Sequence, residues 1–158
     1  MSILSDLRQD VLQIRLCNKI VQIRAYFNQD VLIRLSLSLT GSHLKNPNHP
    51  LGKQLLDILD SNETARDKIP YHLDGTPFQL KVWHETMKIP YGTTATYGQI
   101  AKAIGCRSPR AVGQALNKNP LPIIVPCHRV IGKNGKLTGF SSGIHIKELL
   151  LLAEKAKF

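Results

Sequence analysis

Between residues 11 and 39 apolar and polar positions alternate with period two. Leu12, Ile14 and Leu16 interleave with Gln13 and Arg15; Val21, Ile23 and Ala25 with Gln22 and Arg24; Val31, Ile33, Leu35, Leu37 and Leu39 with Arg34, Ser36 and Ser38. This spacing predicts a meander of three antiparallel strands with one wet face, turning near Asn18 and at Asn28-Gln29-Asp30. From Leu51 to Leu59 the period lengthens, and Leu51, Leu55, Ile58 and Leu59 share one face of a helix. Residues 61–75 are polar and contain Pro70, which predicts a connection. The chain is therefore divided into an amino-terminal α/β unit, 1–75, and a second unit, 76–158.

The second unit is patterned for helices. Thr76-Pro77-Phe78-Gln79 combines an N-cap, a proline at the first helical position and a capping-box glutamine, with Phe78, Val82 and Trp83 as the buried stripe. Thr96-Tyr97-Gly98-Gln99 repeats the capping box and starts a short helix ending near Gly105; Ser108-Pro109 opens another that runs to about Lys118. Two short helices joined by a tight turn form a helix-turn-helix candidate. The second helix offers Ala111, Val112, Gly113 and Ala115, with Arg110 in its first turn. Small side chains let a helix approach a nucleic-acid surface closely, and equally let it pack against another helix.

Charge changes this picture by its distribution. The 158 residues carry a formal +10, of which residues 1–75 contribute +1 and residues 76–158 contribute +9. Such asymmetry suggests a polyanion bound by the second half, the alternative being a solvated basic surface. The longest apolar runs reach five residues, as at Leu149–Ala153, against the roughly 20 that cross a bilayer. Asp6, Arg8 and Asp10 stand where an export signal would need an apolar core, so the expected location is cytoplasmic. Three cysteines, at 17, 106 and 127, make no CxxC pair, which argues against a disulfide scaffold or a thiolate metal site.

Chemistry concentrates in Asn119-Pro120-Leu121-Pro122-Ile123-Ile124-Val125-Pro126-Cys127-His128-Arg129-Val130. The prolines forbid a helix, and Ile123-Ile124-Val125 reads as a short extended segment leading to a rigid Pro-Cys step. Cys127 is either a small buried hydrophobe or a thiol whose acidity the adjacent His128 and Arg129 raise. Neighbours on an extended backbone point to opposite sides, so a water is the expected link between Cys127 and His128. A carboxy-terminal helix is predicted over about His145–Lys155, with Ile146, Leu149, Leu150 and Ala153 inward. Glu148, one of three acids after residue 75, is there either a surface charge or the carboxylate that orients His128. The small-residue loop 137–143 could line a pocket or simply turn.

Pro126-Cys127-His128-Arg129-Val130, with Asn119-Pro120 and Arg110-Ala111-Val112-Gly113 upstream and Lys147-Glu148 downstream, resembles the O6-alkylguanine-DNA alkyltransferases, or methylated-DNA-protein-cysteine methyltransferases. The resemblance is strong from about Phe78 to Leu152. It implies an α+β fold: a small ribonuclease H-like unit of three antiparallel strands with a helix, then a mainly helical unit with a winged-helix-like helix-turn-helix. It implies that Cys127 accepts the alkyl group irreversibly, that His128 deprotonates it through water, that Glu148 holds the histidine, and that Asn119 braces the turn. Tyr97 would donate to the guanine leaving group and press on the adjacent phosphate. Arg110 would fill the gap left by a flipped base, with Ala111, Gly113 and Ala115 on the minor-groove helix. Pro122, Val125, Phe140 and Ser141 would line the base and alkyl pocket. The implied partner is double-stranded DNA carrying O6-alkylguanine, with O4-alkylthymine as the further substrate, and the implied state is a monomer without cofactor or metal, cytoplasmic and nucleoid-associated, or nuclear in a eukaryote. Phe140, where several members carry Tyr, and Ser142, in a loop often richer in Gly, bear on pocket size. The competing expectations are a DNA-binding lesion sensor with a structural Cys127, and a thiol hydrolase using His84 or His72.

Overall fold

A computed structural model describes residues 7–41, 43–44, 46, 48–61 and 63–156. The predicted meander forms as β1 (Leu7–Leu16), β2 (Lys19–Asn28) and β3 (Val31–Thr40), antiparallel in the order β1-β2-β3. Period two holds along β1 and β2, whereas in β3 the register shifts opposite Tyr26 and Phe27. Phe27 pairs with Leu32 and Tyr26 with Arg34, so Leu32 is buried and Ile33 only half-buried. A bulge of this kind inserts one residue and reverses the alternation on its far side, which strict alternation through Ile33 misses. Against this sheet packs α1 (Pro50–Leu59), whose amino terminus is capped by His49 Nδ1 accepting from the Leu51 amide, and which buries Leu51, Leu55, Ile58 and Leu59 as expected.

The outer edge of β3 is bound to the rest of the chain. The Leu32 amide donates to the Pro70 carbonyl, the His72 amide to the Leu32 carbonyl, and the Leu35 amide to the Pro120 carbonyl at 2.8 Å. The last of these fixes the sheet to the loop that precedes Cys127. One buried cluster contains residues of both halves, from Leu12 and Ile23 to Ile124 and Leu150.

Both predicted capping boxes are formed, at Thr76–Gln79 for α2 (Pro77–Thr86) and at Thr96–Gln99 for α3 (Tyr97–Ala103). Ser108 caps α4 (Pro109–Asn117) by accepting from the Ala111 amide. Val82 and Trp83 are buried on α2 as expected, and Trp83 Nε1 donates to the Ala115 carbonyl of α4 at 2.9 Å. Phe78 is 38% exposed, because at the second helical position it lies beyond the end of the stripe. A two-residue strand, β4 (Ala95–Thr96), pairs in parallel with β5 (Val130–Ile131), tying the start of α3 to the residues after Cys127. The chain ends with α5 (Ile144–Ala153), which buries Ile146, Lys147, Leu150 and Leu151; Leu149 and Ala153 are only partly covered.

Residues 121–125 form a tight loop where an extended segment was expected. The Val125 amide donates to the Leu121 carbonyl, and Ile123 sits at φ +76°. Prolines at 120, 122 and 126 supply no amide for a ladder, so the segment satisfies itself locally. A β-branched residue in the left-handed region is strained, and surrounding structure must hold it there.

Candidate active site

Every residue from Leu121 to Ile131 is buried, and Cys127 retains 8% exposure within this wall. Asn119 organises the approach to it. Its Oδ1 accepts from the Leu121 amide at 2.9 Å, while Nδ2 lies 3.1 Å from both the Val125 carbonyl and Cys127 Sγ. The thiol is pushed up from its ordinary range by burial, against the Asn119 hydrogen bond and the Lys147 charge, which pull it down. The expectation that neighbouring Arg129 would acidify the thiol is therefore corrected, since burial dominates and the Arg129 charge is neutralised elsewhere. Cys127–Arg129 form a single 3-10 turn.

Behind the cysteine lies a fully buried carboxylate shared by two residues. His128 Nε2 is 2.9 Å from Glu154 Oε1, and Arg129 binds the same carboxylate through Nε at 2.9 Å and Nη2 at 2.8 Å. Arg129 Nη1 also donates to the Ile89 carbonyl at 2.6 Å. Burial raises the Glu154 carboxyl, but hydrogen bonds from His128 and Arg129 outweigh it and hold the group at about 2. Burial drives the His128 ring below its ordinary value, against the pull of Glu154. A neutral imidazole beside an ionised carboxylate carries its proton on the shared nitrogen, Nε2. Nδ1 is then an acceptor; it is buried and without a hydrogen-bond partner among the described residues.

Glu148, predicted as the carboxylate on His128, is exposed on α5, and the position belongs to Glu154. The sequence held the signal for this. Lys147, Leu150 and Leu151 are the buried residues of α5, and the same face reaches residue 154 one turn later, whereas Glu148 falls off it.

A second buried cation, Lys147, also escaped the sequence reading. Its Nζ donates to the Val130 carbonyl, to the Thr138 carbonyl at 2.9 Å and to Tyr97 Oη at 3.4 Å, and burial lowers it to about 8. Tyr97 Oη donates to the Thr138 carbonyl at 2.7 Å, and burial raises its hydroxyl above the ordinary value. Gly113 and Gly139 make room for this ring: a β-carbon would lie 3.7 Å from the ring at Gly113 and 3.0 Å from the hydroxyl at Gly139. Tyr97, Arg110, Gly113, Gln114, Thr138 and Gly139 thus border one open groove of about 410 Å³.

The remaining predicted residues divide by exposure. Arg110 is exposed and Ala111 and Gly113 are half-buried, but Ala115 is turned inward with its carbonyl on Trp83, so it offers no surface on α4. Pro122 and Ser141 meet on a second cavity, Phe140 is buried nearby in the chain, and Val125 is fully buried. His72 and His84 are exposed and have no recorded contact with Cys127. Among the described residues no group of three or more His, Cys, Asp or Glu could hold a metal ion, and no helix is long and apolar enough to cross a membrane.

A cysteine, a buried histidine–carboxylate pair and a helix-turn-helix within one fold can be compared with known proteins. The sequence model of the 6-O-methylguanine DNA methyltransferase DNA-binding domain matches residues 77–156. The chain belongs to this methyltransferase family. The methylated-DNA–protein-cysteine methyltransferase of Methanocaldococcus vulcanius is 41% identical over 158 residues, covering 87% of this chain and 97% of that protein. That of Methanosarcina acetivorans is 62% identical over 82 residues, or 51% of this chain, and the match spans about half of that relative's length, 53%. Among solved structures, the Mycobacterium tuberculosis methyltransferase-family protein OGT in complex with DNA superimposes with a TM-score of 0.65 at 36% identity, over 85% of this chain and 86% of that one. The methyltransferase family thus accounts for the α+β architecture and for the high similarity after residue 76.

Proposed function

We propose that this chain repairs DNA by direct reversal, moving a methyl or other alkyl group from O6 of guanine in double-stranded DNA to Cys127 Sγ. The observation that carries the reading is the neutral, buried His128, which has one nitrogen on Glu154 and an unpartnered acceptor nitrogen, in a turn with a buried thiol. The names of the relatives and the DNA-bound homologue support the substrate class.

An alkyl carbon inside a duplex is out of reach, so the nucleotide must be rotated out of the stack. In this reading α4 lies in the minor groove with Ala111 and Gly113 facing the DNA, and Arg110 fills the vacated space. The Cys127 proton passes through a water to His128 Nδ1, and the imidazolium so formed is balanced by Glu154. Sγ then attacks the alkyl carbon. The carbon–O6 bond breaks, its electron pair stays on the guanine, and the Tyr97 hydroxyl donates to the leaving base. Asn119 holds the thiol and the Val125 carbonyl in register. The Lys147 ammonium beside Tyr97 Oη makes the phenol the better donor. A thioether has no hydrolytic exit, so each chain acts once. Pro122, Phe140 and Ser141 form the alkyl side of the pocket, with Val125 behind it. The chain works as a monomer, without a cofactor, in the compartment that holds the DNA: the cytosol, or the nucleus of a eukaryote. Residues 1–75 support a reactive unit 76–158, and O4-alkylthymine is the second substrate.

Intact mass after incubation with a duplex containing one O6-methylguanine tests this directly. The expected result is a gain of one methylene on the Cys127 peptide, stopping at one per chain and absent in Cys127→Ser. Retained lesion binding without any mass change would leave a sensor with a structural cysteine.

A further inference from the structure

Beside the thiol is a chamber that methyl transfer does not need. A cavity of about 560 Å³ lies between β3 and the loop leading to Cys127. One wall is Asn119, Pro122 and Ser141; the opposite side carries Arg34 and Ser36 of β3, with Lys118 at the end of α4. Asn119 touches Cys127 Sγ at 3.1 Å, so thiol and cavity share a wall. No Asp or Glu lines the space, and among the described residues neither Arg34 nor Lys118 forms an ion pair. Arg34 is placed only against the ring of Tyr26, 6.0 Å from its centroid.

Two unpaired cations and several hydroxyl and amide groups in one concave space favour an anionic occupant over a hydrocarbon one. We infer that this cavity receives the distal end of O6 adducts that terminate in a carboxylate, such as O6-carboxymethylguanine, and that Arg34 and Lys118 select for them. The inference rests on the alkyl-transfer reading and extends it to a substrate class. The chemistry is the same substitution: the bond from O6 to the methylene carbon breaks, the Sγ–carbon bond forms, and the electron pair leaves with the guanine, which is protonated. The product is S-carboxymethylcysteine at 127. The acid stays ionised throughout and faces Arg34 and Lys118. The amino-terminal sheet thereby contributes to specificity as well as support.

The test measures single-turnover transfer from two duplexes, one with O6-carboxymethylguanine and one with O6-methylguanine, at the same ionic strength. Wild type is compared with Arg34→Gln, Lys118→Gln and the double variant. The ratio of carboxymethyl to methyl rates should fall by roughly 3- to 10-fold in the double variant, the range that two solvent-exposed charge contacts support. Methyl transfer itself should hold, and a duplex carrying the neutral carbamoylmethyl analogue should show no such fall. Raising salt should erode the wild-type ratio. An unchanged ratio in the double variant would overturn the inference, as would an equal fall on both lesions, which would assign the two cations to general DNA attraction. Absence of any adduct from either duplex would overturn the alkyl-transfer reading itself.

Discussion

Glu154 is the residue on which the buried charges depend. Two positively polarised partners, His128 and Arg129, converge on it with no water access. Glu154→Gln leaves the Arg129 guanidinium buried without its counter-charge, a change that costs about 3–5 kcal/mol. It also frees His128 from its orientation. The expected result in urea denaturation is a marked loss of stability, with alkyl transfer lost in whatever remains folded, whereas the exposed Glu148→Gln leaves both unchanged. The same group sets the acid limb of stability. Its folded value, about 2, is below the unfolded one, so its contribution is complete above the ordinary carboxylate range and is lost as pH falls toward 2. His128 is also lowered, meaning that the unfolded chain takes up a proton first as pH falls below its ordinary 6.5. Both effects have one sign. The free energy of unfolding, measured at a series of pH values, should begin to fall below about pH 6.5 and fall further below about 4.5. A stability that rises on acidification would contradict the neutral imidazole.

At the scale of elements, the caps were the most legible features. Thr76, Thr96 and Ser108 announce α2, α3 and α4 because a capping side chain and its amide are only a few residues apart. The tight loop at 121–125 and the bulge opposite Tyr26 were illegible for the opposite reason: each is set by partners distant in sequence. Choosing between Glu148 and Glu154 required the phase of α5, and a buried lysine at 147 disguises that phase as polar. The loop that meets Tyr97 gives an element-scale test. Gly139 has φ +66°, and a β-carbon there would crowd Tyr97 Oη at 3.0 Å. Gly139→Ala should therefore cost about 1–2 kcal/mol from the backbone alone. It should also push the Tyr97 hydroxyl off the Thr138 carbonyl. Transfer from O6-methylguanine should slow while binding to undamaged duplex holds, as followed by quenched-flow and fluorescence anisotropy.

For the whole molecule, the charge asymmetry read from the sequence has a concrete consequence. With nearly all of the net +10 carried after residue 75, association with any duplex should be driven by counterion release. Affinity for undamaged DNA should fall by at least about tenfold when salt rises about fourfold, which roughly two phosphate contacts suffice to produce. An affinity insensitive to salt would remove DNA phosphate from the account. The division at residue 75 marks a change in composition, yet one buried cluster includes residues on both sides of it.

Trp83 is the only tryptophan in the chain, and its indole is buried with Nε1 on the Ala115 carbonyl of α4. The protein therefore carries an intrinsic optical probe at the back of the helix assigned to the minor groove. An apolar, hydrogen-bonded indole emits to the blue of a hydrated one, so any lifting of α4 from α2 should appear as a red shift without a dye or label. Stopped-flow emission during binding to a lesion duplex can then separate rigid docking of α4, which leaves the spectrum in place, from its displacement.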